Sequence, residues 1–377
     1  MMKREGAMGK TVHDEYQPLC LMVYLGGRCR LSCLYCYGSK DRPQEQTVSM
    51  MGFKHSLELV AHHCRIKKVP LTLVFHGDNE PLVYYDRIRS LVSVARETLA
   101  GLGVGLVLVC TTSGVASRKV MGWASKTFDH ITLSWDGPPL IQDVNRPFKN
   151  GKGTSGFVEK AFNILKQGRC RVAVRTTITQ NSCKDLVDIA DYFKEKGVTR
   201  MVVCPVYPNR DETFPRDLIP DPELFATFFL KARNFGMQYG MEVIYPGVRP
   251  REKHAQYCSV LQKNLIMTSD GFLSGCFLAT HNAMGHNTGF LMGHMDPDRA
   301  VLDQDKIDLF FDRTQGGFEQ CQACFNKAHC AKGCPGVCPL VHSYSHQFDC
   351  RAEKIIGRAL ILEHQEQARM AYQGQVE

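Results

Sequence analysis

The stretch Cys29-Arg-Leu-Ser-Cys33-Leu-Tyr-Cys36 places three cysteines within eight residues, directly after the first predicted strand. Three thiolates separated by three and two residues can bind one face of a cubane iron–sulfur cluster and leave the fourth iron without a protein ligand. A zinc knuckle with a distant fourth ligand, or three unrelated thiols, are the alternatives. The iron–sulfur interpretation is favoured, and it requires that something other than the protein binds the open iron.

Around this loop, strands and helices alternate. Short apolar runs rich in Val, Leu, Ile and Thr are typical of parallel strands that are covered on both faces. They lie at Cys20–Leu25, Leu71–Phe75, Leu106–Cys110, His130–Ser134, Arg171–Ile178 and Arg200–Cys204. Helical patterns lie at 49–65, 84–99, 115–125, 156–167, 184–196 and 222–235.

Six β-α repeats are too few for a closed eight-stranded barrel. The sequence therefore predicts an α/β fold with a partial (β/α)6 barrel of the TIM type, in preference to a doubly wound sheet. In both folds the active site lies at the carboxyl ends of the strands.

The pattern changes near residue 246, where Pro246, Gly247 and Pro250 predict a linker. We therefore predict two domains, the barrel over 16–246 and a small, loop-rich domain over 247–377. The second domain has a hairpin at Ser269-Asp270-Gly271 and a C-terminal helix over 351–371. So small a hydrophobic core needs cross-links to be stable, and metal centres supply them.

The composition is that of a globular protein. The chain has 377 residues, 44% of them hydrophobic, and a net charge of +8 from 46 basic and 38 acidic residues. Such a composition excludes disorder for the chain as a whole. No signal peptide or membrane-spanning run is visible, so we expect a cytoplasmic protein. Of its 17 cysteines, those crowded into short segments are expected to bind metal rather than to form disulfides, and the six isolated ones are expected to be small buried apolar residues.

The three-cysteine loop, with Tyr35 before its third cysteine, resembles that of the radical S-adenosylmethionine (SAM, or AdoMet) superfamily. Motifs at the ends of later strands agree with this resemblance. They are Phe75-His-Gly77-Asp78-Asn79-Glu80-Pro81 after the second strand, Thr111-Thr112-Ser113-Gly114 after the third, Ser134-Trp-Asp136-Gly137-Pro138 after the fourth, and Arg175 in the fifth.

The resemblance implies which residues bind the cofactor. Cys29, Cys33 and Cys36 would hold the SAM-binding 4Fe–4S cluster. The other predicted cofactor contacts are Tyr35, Gly77, Asp78, Asn79, Glu80, Ser134, Asp136 and Arg175. Within that set the glycine-rich motif is expected at the SAM amino group and the serine at the SAM carboxylate. Asn79 stands where the family usually has glycine, and asparagine tolerates positive φ better than most residues.

A second group of cysteines resembles the signature of SPASM domains, which carry two auxiliary 4Fe–4S clusters. By analogy the inner cluster takes Cys258, Cys276 and Cys334, and the outer cluster takes Cys321, Cys324, Cys330 and Cys350. Cys338, His254, water or a substrate group is left open as the fourth ligand of the inner cluster. A zinc ribbon using four of the seven cysteines is the alternative, but it leaves the others unused.

The resemblance also implies a chemistry. An electron from the reduced cluster cleaves SAM, and the 5′-deoxyadenosyl radical abstracts hydrogen from a peptide or protein, giving a cross-link, a thioether or a dehydrogenation. The auxiliary clusters would accept the electron left on the substrate radical. No residue is assigned as catalytic. Sulfatase-type formylglycine formation and dehydrogenation of a sugar or amino alcohol are alternatives, and a non-catalytic iron–sulfur electron carrier is the alternative from another class.

One residue bears on the choice of substrate. Sulfatase-maturing enzymes carry an aspartate as base directly after the cysteine that matches Cys276, and this chain has Phe277. A maturase of ribosomal peptides is therefore the first hypothesis. The expected partners are a peptide or protein substrate and a flavodoxin or ferredoxin-type electron donor, towards which the net charge of +8 is favourable. No basic-aromatic patch argues for nucleic acid, and no segment argues for a membrane.

Overall fold

The computed structural model describes residues 16–36, 48–77, 79–207, 215–250, 264–277, 279, 290–296, 299–315, 321, 323–330 and 350–373. Within these ranges the protein is a mixed α/β structure built on one sheet. None of the helices described there has the length and apolar character needed to cross a bilayer.

The sheet contains eleven strands in the described residues. They are β1 Cys20–Val23, β2 Leu71–Phe75, β3 Leu106–Thr112, β4 His130–Ser134, β5 Arg171–Ile178, β6 Arg200–Pro205, β7 Glu242–Ile244, β8 Asn264–Met267, β9 Phe272–Ser274, β10 Leu291–Met295 and β11 Ala300–Leu302. Their order is β11-β10-β9-β8-β1-β2-β3-β4-β5-β6-β7, and each neighbouring pair from β1 to β7 is parallel.

Helices connect the parallel strands from β1 to β7, with two of them between β4 and β5, and two more helices follow β11 in the described residues. They are α1 Met50–Lys67, α2 Tyr85–Leu102, α3 Arg118–Thr127, α4 Pro139–Asn145, α5 Ser155–Leu165, α6 Leu186–Lys196, α7 Pro222–Gln238, α8 Gln304–Gln315 and α9 Arg351–Gln373. Since β1 to β7 lie in chain order without a reversal, right-handed crossovers place the connecting helices on one side of the sheet. This singly wound order confirms the predicted barrel-type fold and excludes the doubly wound alternative, which requires a reversal of strand order.

The two faces of the parallel strands differ in burial. In β2, Leu71, Leu73 and Phe75 are fully buried in the main hydrophobic core, whereas Thr72 and Val74 between them are only partly buried. The same alternation recurs in β3 and β6. The outer face therefore packs against the helices, and the inner face is left partly open at the carboxyl ends of the strands.

The sheet continues past the predicted domain boundary. β8 pairs in parallel with β1, from Cys20 opposite Asn264 to Val23 opposite Met267. β8, β9 and β10 then pair antiparallel, and the β8–β9 hairpin turns at Gly271, which has φ +85°. The predicted hairpin at this position is confirmed. The division into domains at residue 246 stays a prediction.

The C-terminal helix α9 closes the structure by packing against α7. Arg233 on α7 donates from both terminal nitrogens to the carboxylate of Glu363 on α9, at 2.6 and 2.9 Å. The bidentate pair of Arg233 and Glu363 fixes the register between the two helices. The hydroxyl of Tyr245, in the segment after β7, donates to the buried Glu353 at 2.5 Å and holds the start of α9 against that segment.

Trp135 is the aromatic side chain on which the outer core around β4 depends. It is fully buried, and its ring lies 5.7 Å from Phe162, 5.7 Å from Tyr192 and 5.2 Å from Phe193. We expect Trp135→Ala to lower the free energy of unfolding by about 3 to 5 kcal/mol, because the cavity cannot collapse around three aromatic rings. Urea denaturation followed by circular dichroism measures this loss. The half-exposed Met237 supplies the control Met237→Ala, which should change the midpoint little; an equal loss in both variants would contradict the assignment.

Candidate active site at the carboxyl ends of the parallel strands

The three-cysteine loop is held by a short antiparallel ribbon. Ser32 N–H donates to Pro147 O at 2.9 Å, Leu34 N–H donates to Asn145 O at 3.0 Å, and Lys149 N–H donates to Arg30 O at 3.1 Å. The loop that follows β1 is thus bound along its length to residues 145–149, which lie after β4. These backbone hydrogen bonds hold the cysteine loop in one conformation at the mouth of the barrel.

A buried carboxylate, that of Asp136, joins this ribbon to the strands. It is fully buried and accepts hydrogen bonds from four donors, which are the Tyr35 hydroxyl, Asn145 Nδ2 at 3.3 Å, Arg146 Nε at 3.2 Å and Thr177 N–H at 3.0 Å. Its own N–H donates to Gln142 Oε1 at 2.8 Å. A buried charge needs this degree of compensation. Tyr35 and Asp136 therefore bind each other in the structure, and their predicted contacts with SAM stay a prediction.

Arg146 carries this network to the cysteines. Its Nη1 lies 3.9 Å from Cys33 Sγ, and its guanidinium lies over the Tyr35 ring, 5.3 Å from the ring centre. Burial raises the pKa of the Cys33 thiol to about 12, while the charge of Arg146 opposes that rise. The thiol thus stays protonated until a cation displaces the proton.

Cys29, Cys33 and Cys36 lie close enough that the charges of Cys36 and Cys29 both act on Cys33. Among the described residues, no group of three or more His, Cys, Asp or Glu side chains has the geometry to hold a single metal ion. In a cubane cluster each thiolate binds its own iron, so such ligands are more widely spaced than the ligands of one ion. The assignment of these three cysteines to a cluster stays a prediction.

The turn after β2 brings the backbone close to Tyr24. Gly77 has φ +145°, and a Cβ there would lie 2.7 Å from the Tyr24 ring, so only glycine fits. Asn79 donates through Nδ2 to Gly26 O, and its buried Oδ1 has no hydrogen-bond partner in the described part of the chain. A buried acceptor of this kind fits an ammonium donor, as the amino group of SAM would provide. Asp78 lies outside the described residues.

Glu80 ties the ends of β2 and β3 together. Its buried carboxylate accepts from Leu82 N–H at 3.1 Å, from the Thr112 hydroxyl at 2.6 Å, and from Ser113 through both N–H at 2.7 Å and Oγ at 2.6 Å. The motif after β3 therefore serves to hold the glutamate. Its carboxylate is engaged by protein donors in the structure.

We expect Glu80→Gln to destabilise the fold by about 1 to 3 kcal/mol, because in either orientation the amide nitrogen faces a backbone N–H, that of Ser113 or that of Leu82, and cannot accept from it. The hydroxyls of Thr112 and Ser113 can turn to accept from the amide, but a backbone N–H has no such freedom. Thermal unfolding checks this, with the exposed Glu195→Gln as a control of the same chemistry. Equal melting temperatures for the two variants would show that the buried carboxylate is not structural.

The inner face at the mouth is mainly apolar. Met22, Tyr24 and Ile266 are buried together, with Val74 and Phe277 packed against them. The Tyr24 hydroxyl donates to Phe277 O at 3.0 Å, which fixes the segment after β9 against β1. Ser134 and Arg175 are paired in register across β4 and β5 and lie nearby, at the same edge of the sheet.

His76 follows β2 on this inner face. Its ring lies 5.6 Å from that of Phe277, in an edge-on arrangement. Burial, and then the charge of Arg175, lower the pKa of His76 to about 3. The imidazole is therefore neutral at pH 7. Sequence reasoning did not single out His76, although its place beside the glycine-rich motif was a signal.

The lowered pKa of His76 predicts a pH dependence of stability. Its ordinary pKa of 6.5 applies in the unfolded chain, which therefore binds the proton first as the pH falls. Stability from this group is complete above pH 6.5 and is lost as the pH falls from there towards 3. Between pH 7.5 and pH 5, we expect the melting temperature of His76→Gln to fall less than that of the wild type, as measured by scanning fluorimetry. The exposed His130→Gln is the control, and parallel losses in wild type and His76→Gln would contradict the prediction.

The four cysteines predicted for the outer cluster, Cys321, Cys324, Cys330 and Cys350, all lie among the described residues. Burial, and the nearby Glu353, Cys330 and Cys321, raise the pKa of Cys350 to about 12, which places three of the four within electrostatic range. Cys324 N–H donates to Cys321 O at 3.2 Å.

The buried Asn326 holds the outer cysteines against α9. It donates to Glu353 O at 2.9 Å, and Gly357 leaves room for it, since a Cβ there would lie 2.3 Å from its amide nitrogen. Of the inner cluster's predicted ligands, Cys276 is described and buried. Cys258, Cys334 and the candidates Cys338 and His254 lie outside the described residues.

No family model matches the chain. An uncharacterized protein of Methanocaldococcus jannaschii is 22% identical over 250 residues, which is 66% of this chain and 81% of that protein. The serine-type anaerobic sulfatase-maturating enzyme of Klebsiella aerogenes is 21% identical over 338 residues, which is 84% of this chain and 79% of the enzyme.

Two solved structures share the fold. The enzyme anSMEcpe with bound AdoMet has a TM-score of 0.69 and 16% identity, over 90% of this chain and 99% of that one. SuiB of Streptococcus suis bound to S-adenosylmethionine has a TM-score of 0.59 and 14% identity, over 86% of this chain and 75% of that one. The resemblance to radical SAM enzymes of the maturase type, which the cysteine motifs predict, is confirmed.

Proposed function

We propose that this protein is a radical SAM maturase that oxidises a peptide or protein substrate. The observation that carries the proposal is the three-cysteine loop, which is bound to residues 145–149 and lies beside the glycine-rich turn. The fold shared with AdoMet-bound anSMEcpe and SuiB supports it. That enzyme and SuiB have also been solved with a peptide bound.

The residues at the mouth fit the cofactors. Cys29, Cys33 and Cys36 would hold a 4Fe–4S cluster, with Leu31 N–H 3.5 Å from Cys29 Sγ and Arg146 beside Cys33 as donors to the sulfurs. The orphaned Oδ1 of Asn79 would accept from the amino group of SAM. Because the three thiolates would bind three of the four irons, one iron would be left for SAM itself, as the sequence predicts.

When bound, the cluster and SAM supply a one-electron cleavage that yields a 5′-deoxyadenosyl radical able to abstract hydrogen from carbon. The chain's own contribution is to orient the bound groups and to exclude water from them. The apolar inner face formed by Met22, Tyr24, Ile266 and Phe277 limits water at the mouth, which protects a radical from side reactions. The neutral His76 adds a polar group there without adding charge.

The auxiliary clusters would receive the electron that the substrate radical gives up. Cys321, Cys324, Cys330 and Cys350, held against α9, are the proposed ligands of the outer cluster. Cys258, Cys276 and Cys334 are those of the inner one. With such electron acceptors bound by these cysteines, the net reaction would be an oxidation, which covers a cross-link, a thioether or a dehydrogenation.

A ribosomal peptide remains our first choice of substrate, and maturation of a sulfatase is the second candidate. The match to the serine-type sulfatase-maturating enzyme over 84% of this chain favours the second. Phe277 favours the first, because a phenyl ring cannot act as the base that an aspartate provides. Phe277 packs against the buried Met22, Tyr24 and Ile266, and this apolar wall is suited to an uncharged side chain of the substrate.

The central test is the cleavage of SAM by the anaerobically reconstituted protein with dithionite. We expect formation of 5′-deoxyadenosine, and its loss in the triple variant Cys29→Ala, Cys33→Ala, Cys36→Ala, since no site for SAM remains. The variant should keep the iron and sulfide of the auxiliary clusters. Chromatography of the nucleoside and chemical iron analysis measure the two quantities.

The control is the matched double variant Cys64→Ala, Cys183→Ala, two buried cysteines outside every predicted ligand set. It should retain both the iron and the nucleoside product. Formation of 5′-deoxyadenosine by the triple variant at the wild-type rate would refute the proposal. Intact mass of co-expressed peptide or sulfatase then separates the two substrates, with a loss of two hydrogens expected for a cross-link.

A further inference from the structure

Helix α4 buries two polar side chains and exposes two apolar ones, while its Ile141 packs partly buried against the main core. Its inward residues Gln142 and Asn145 are polar and buried, and they bind the N–H and the carboxylate of Asp136. Its outward residues Leu140 and Val144, one turn apart, are 87% and 60% exposed. A surface helix normally turns its apolar side towards the core. Packing within the described chain does not account for the two exposed side chains.

More apolar surface lies beside α4. Phe157 at the start of α5 is 52% exposed and packs edge-on against Phe148, at 5.3 Å between ring centres. Leu34, between the second and third cysteines of the loop, is 44% exposed. Asp143 links α4 to α5, because its carboxylate accepts from Thr154 N–H and Ser155 N–H at 2.7 Å each. Four of the fourteen exposed large hydrophobic side chains of the described residues therefore lie on the elements around the cysteine loop.

The edge of this surface is basic. Arg30, Lys149 and Lys152 are exposed. They are close neighbours, because Lys149 N–H donates to Arg30 O at 3.1 Å and Phe148 N–H donates to Lys152 O at 2.8 Å. The acidic residue of α4, Asp143, has its carboxylate engaged by the start of α5. An apolar centre with a basic rim is complementary to a partner with an apolar centre and an acidic rim.

The position of the surface selects the kind of partner. It borders the loop that carries Cys29, Cys33 and Cys36, and Cys36 itself is exposed. The rate of electron transfer falls steeply with distance, so a protein that reduces a cluster on this loop must dock beside it. A peptide substrate, by contrast, must reach the inner face of the barrel, where the apolar mouth lies.

We propose that Leu34, Leu140, Val144, Phe148 and Phe157, with the rim Arg30, Lys149 and Lys152, form the docking surface for a small acidic one-electron carrier protein. The inference rests on the proposed function, because it needs a reducible cluster on the cysteine loop. The carrier gives one electron to the oxidised cluster and leaves in its own oxidised form. Long-range attraction by the basic rim speeds the encounter, and the apolar centre fixes the bound orientation.

The test compares two reductants of the fully reconstituted protein in anaerobic stopped flow, with cluster bleaching as the signal. One is a reduced acidic flavodoxin and the other is dithionite, which needs no docking surface. We expect Leu140→Asp, Val144→Asp to slow reduction by flavodoxin at least tenfold and to leave reduction by dithionite unchanged. Raising the salt concentration should slow reduction of the wild type by flavodoxin, but not by dithionite, because it screens the rim.

The matched control is Met237→Asp, Leu362→Asp, two exposed helical side chains on α7 and α9. It should accept electrons from flavodoxin at the wild-type rate. Equal flavodoxin rates for the α4 variant and the wild type would overturn the proposal. Equal slowing by both reductants, or a change in sedimentation that reveals a contact between copies of the chain, would overturn it as well. Failure of the proposed function is distinguishable, since the wild type would then show no 5′-deoxyadenosine with dithionite.

Discussion

The site depends on one buried carboxylate. Asp136 collects donors from the cysteine loop, from the end of α4 and from β5, and it pairs with Arg146, whose other end points at Cys33. Without this group, the side-chain bonds between the cysteine loop and β4 and β5 would be lost, and Arg146 would be a buried cation without its partner. The segment Ser134-Trp-Asp136-Gly137-Pro138 thus holds the cysteine loop in place through Asp136.

Much of the fold was predictable from the sequence because several of the parallel strands are nearly continuous apolar runs, although their inner face is less buried than their outer face. β2, β4 and β5 begin and end as predicted, and the other three predicted strands differ by one or two residues at one end. β7 was not predicted, since its three residues are too short for a periodic signal. Helix α4 was not predicted either. Its two buried side chains, Gln142 and Asn145, are polar, so a search for an apolar helical stripe passes over it.

The candidate site was predictable in its residue types and less so in its connections. Order along the chain placed the cysteine loop, the glycine-rich turn and the Ser134 to Pro138 segment at successive strand ends, and the structure has them at one edge of the sheet. Sequence spacing carries no information on which carboxylate binds which donor. Tyr35 and Asp136 were therefore predicted as two separate cofactor contacts, whereas in the structure they bind each other. His76 contacts Phe277, and Arg146 contacts Cys33. These partners are about 200 and about 110 residues away along the sequence, so spacing could not reveal them.

The central claim is that SAM binds the iron that Cys29, Cys33 and Cys36 leave open. The most direct measurement is pulsed electron paramagnetic resonance of the reduced, reconstituted protein with SAM labelled with 15N at its amino group. A hyperfine coupling between the cluster and the labelled nitrogen is the result that this account predicts. A reduced cluster whose spectrum is the same with and without SAM would contradict it.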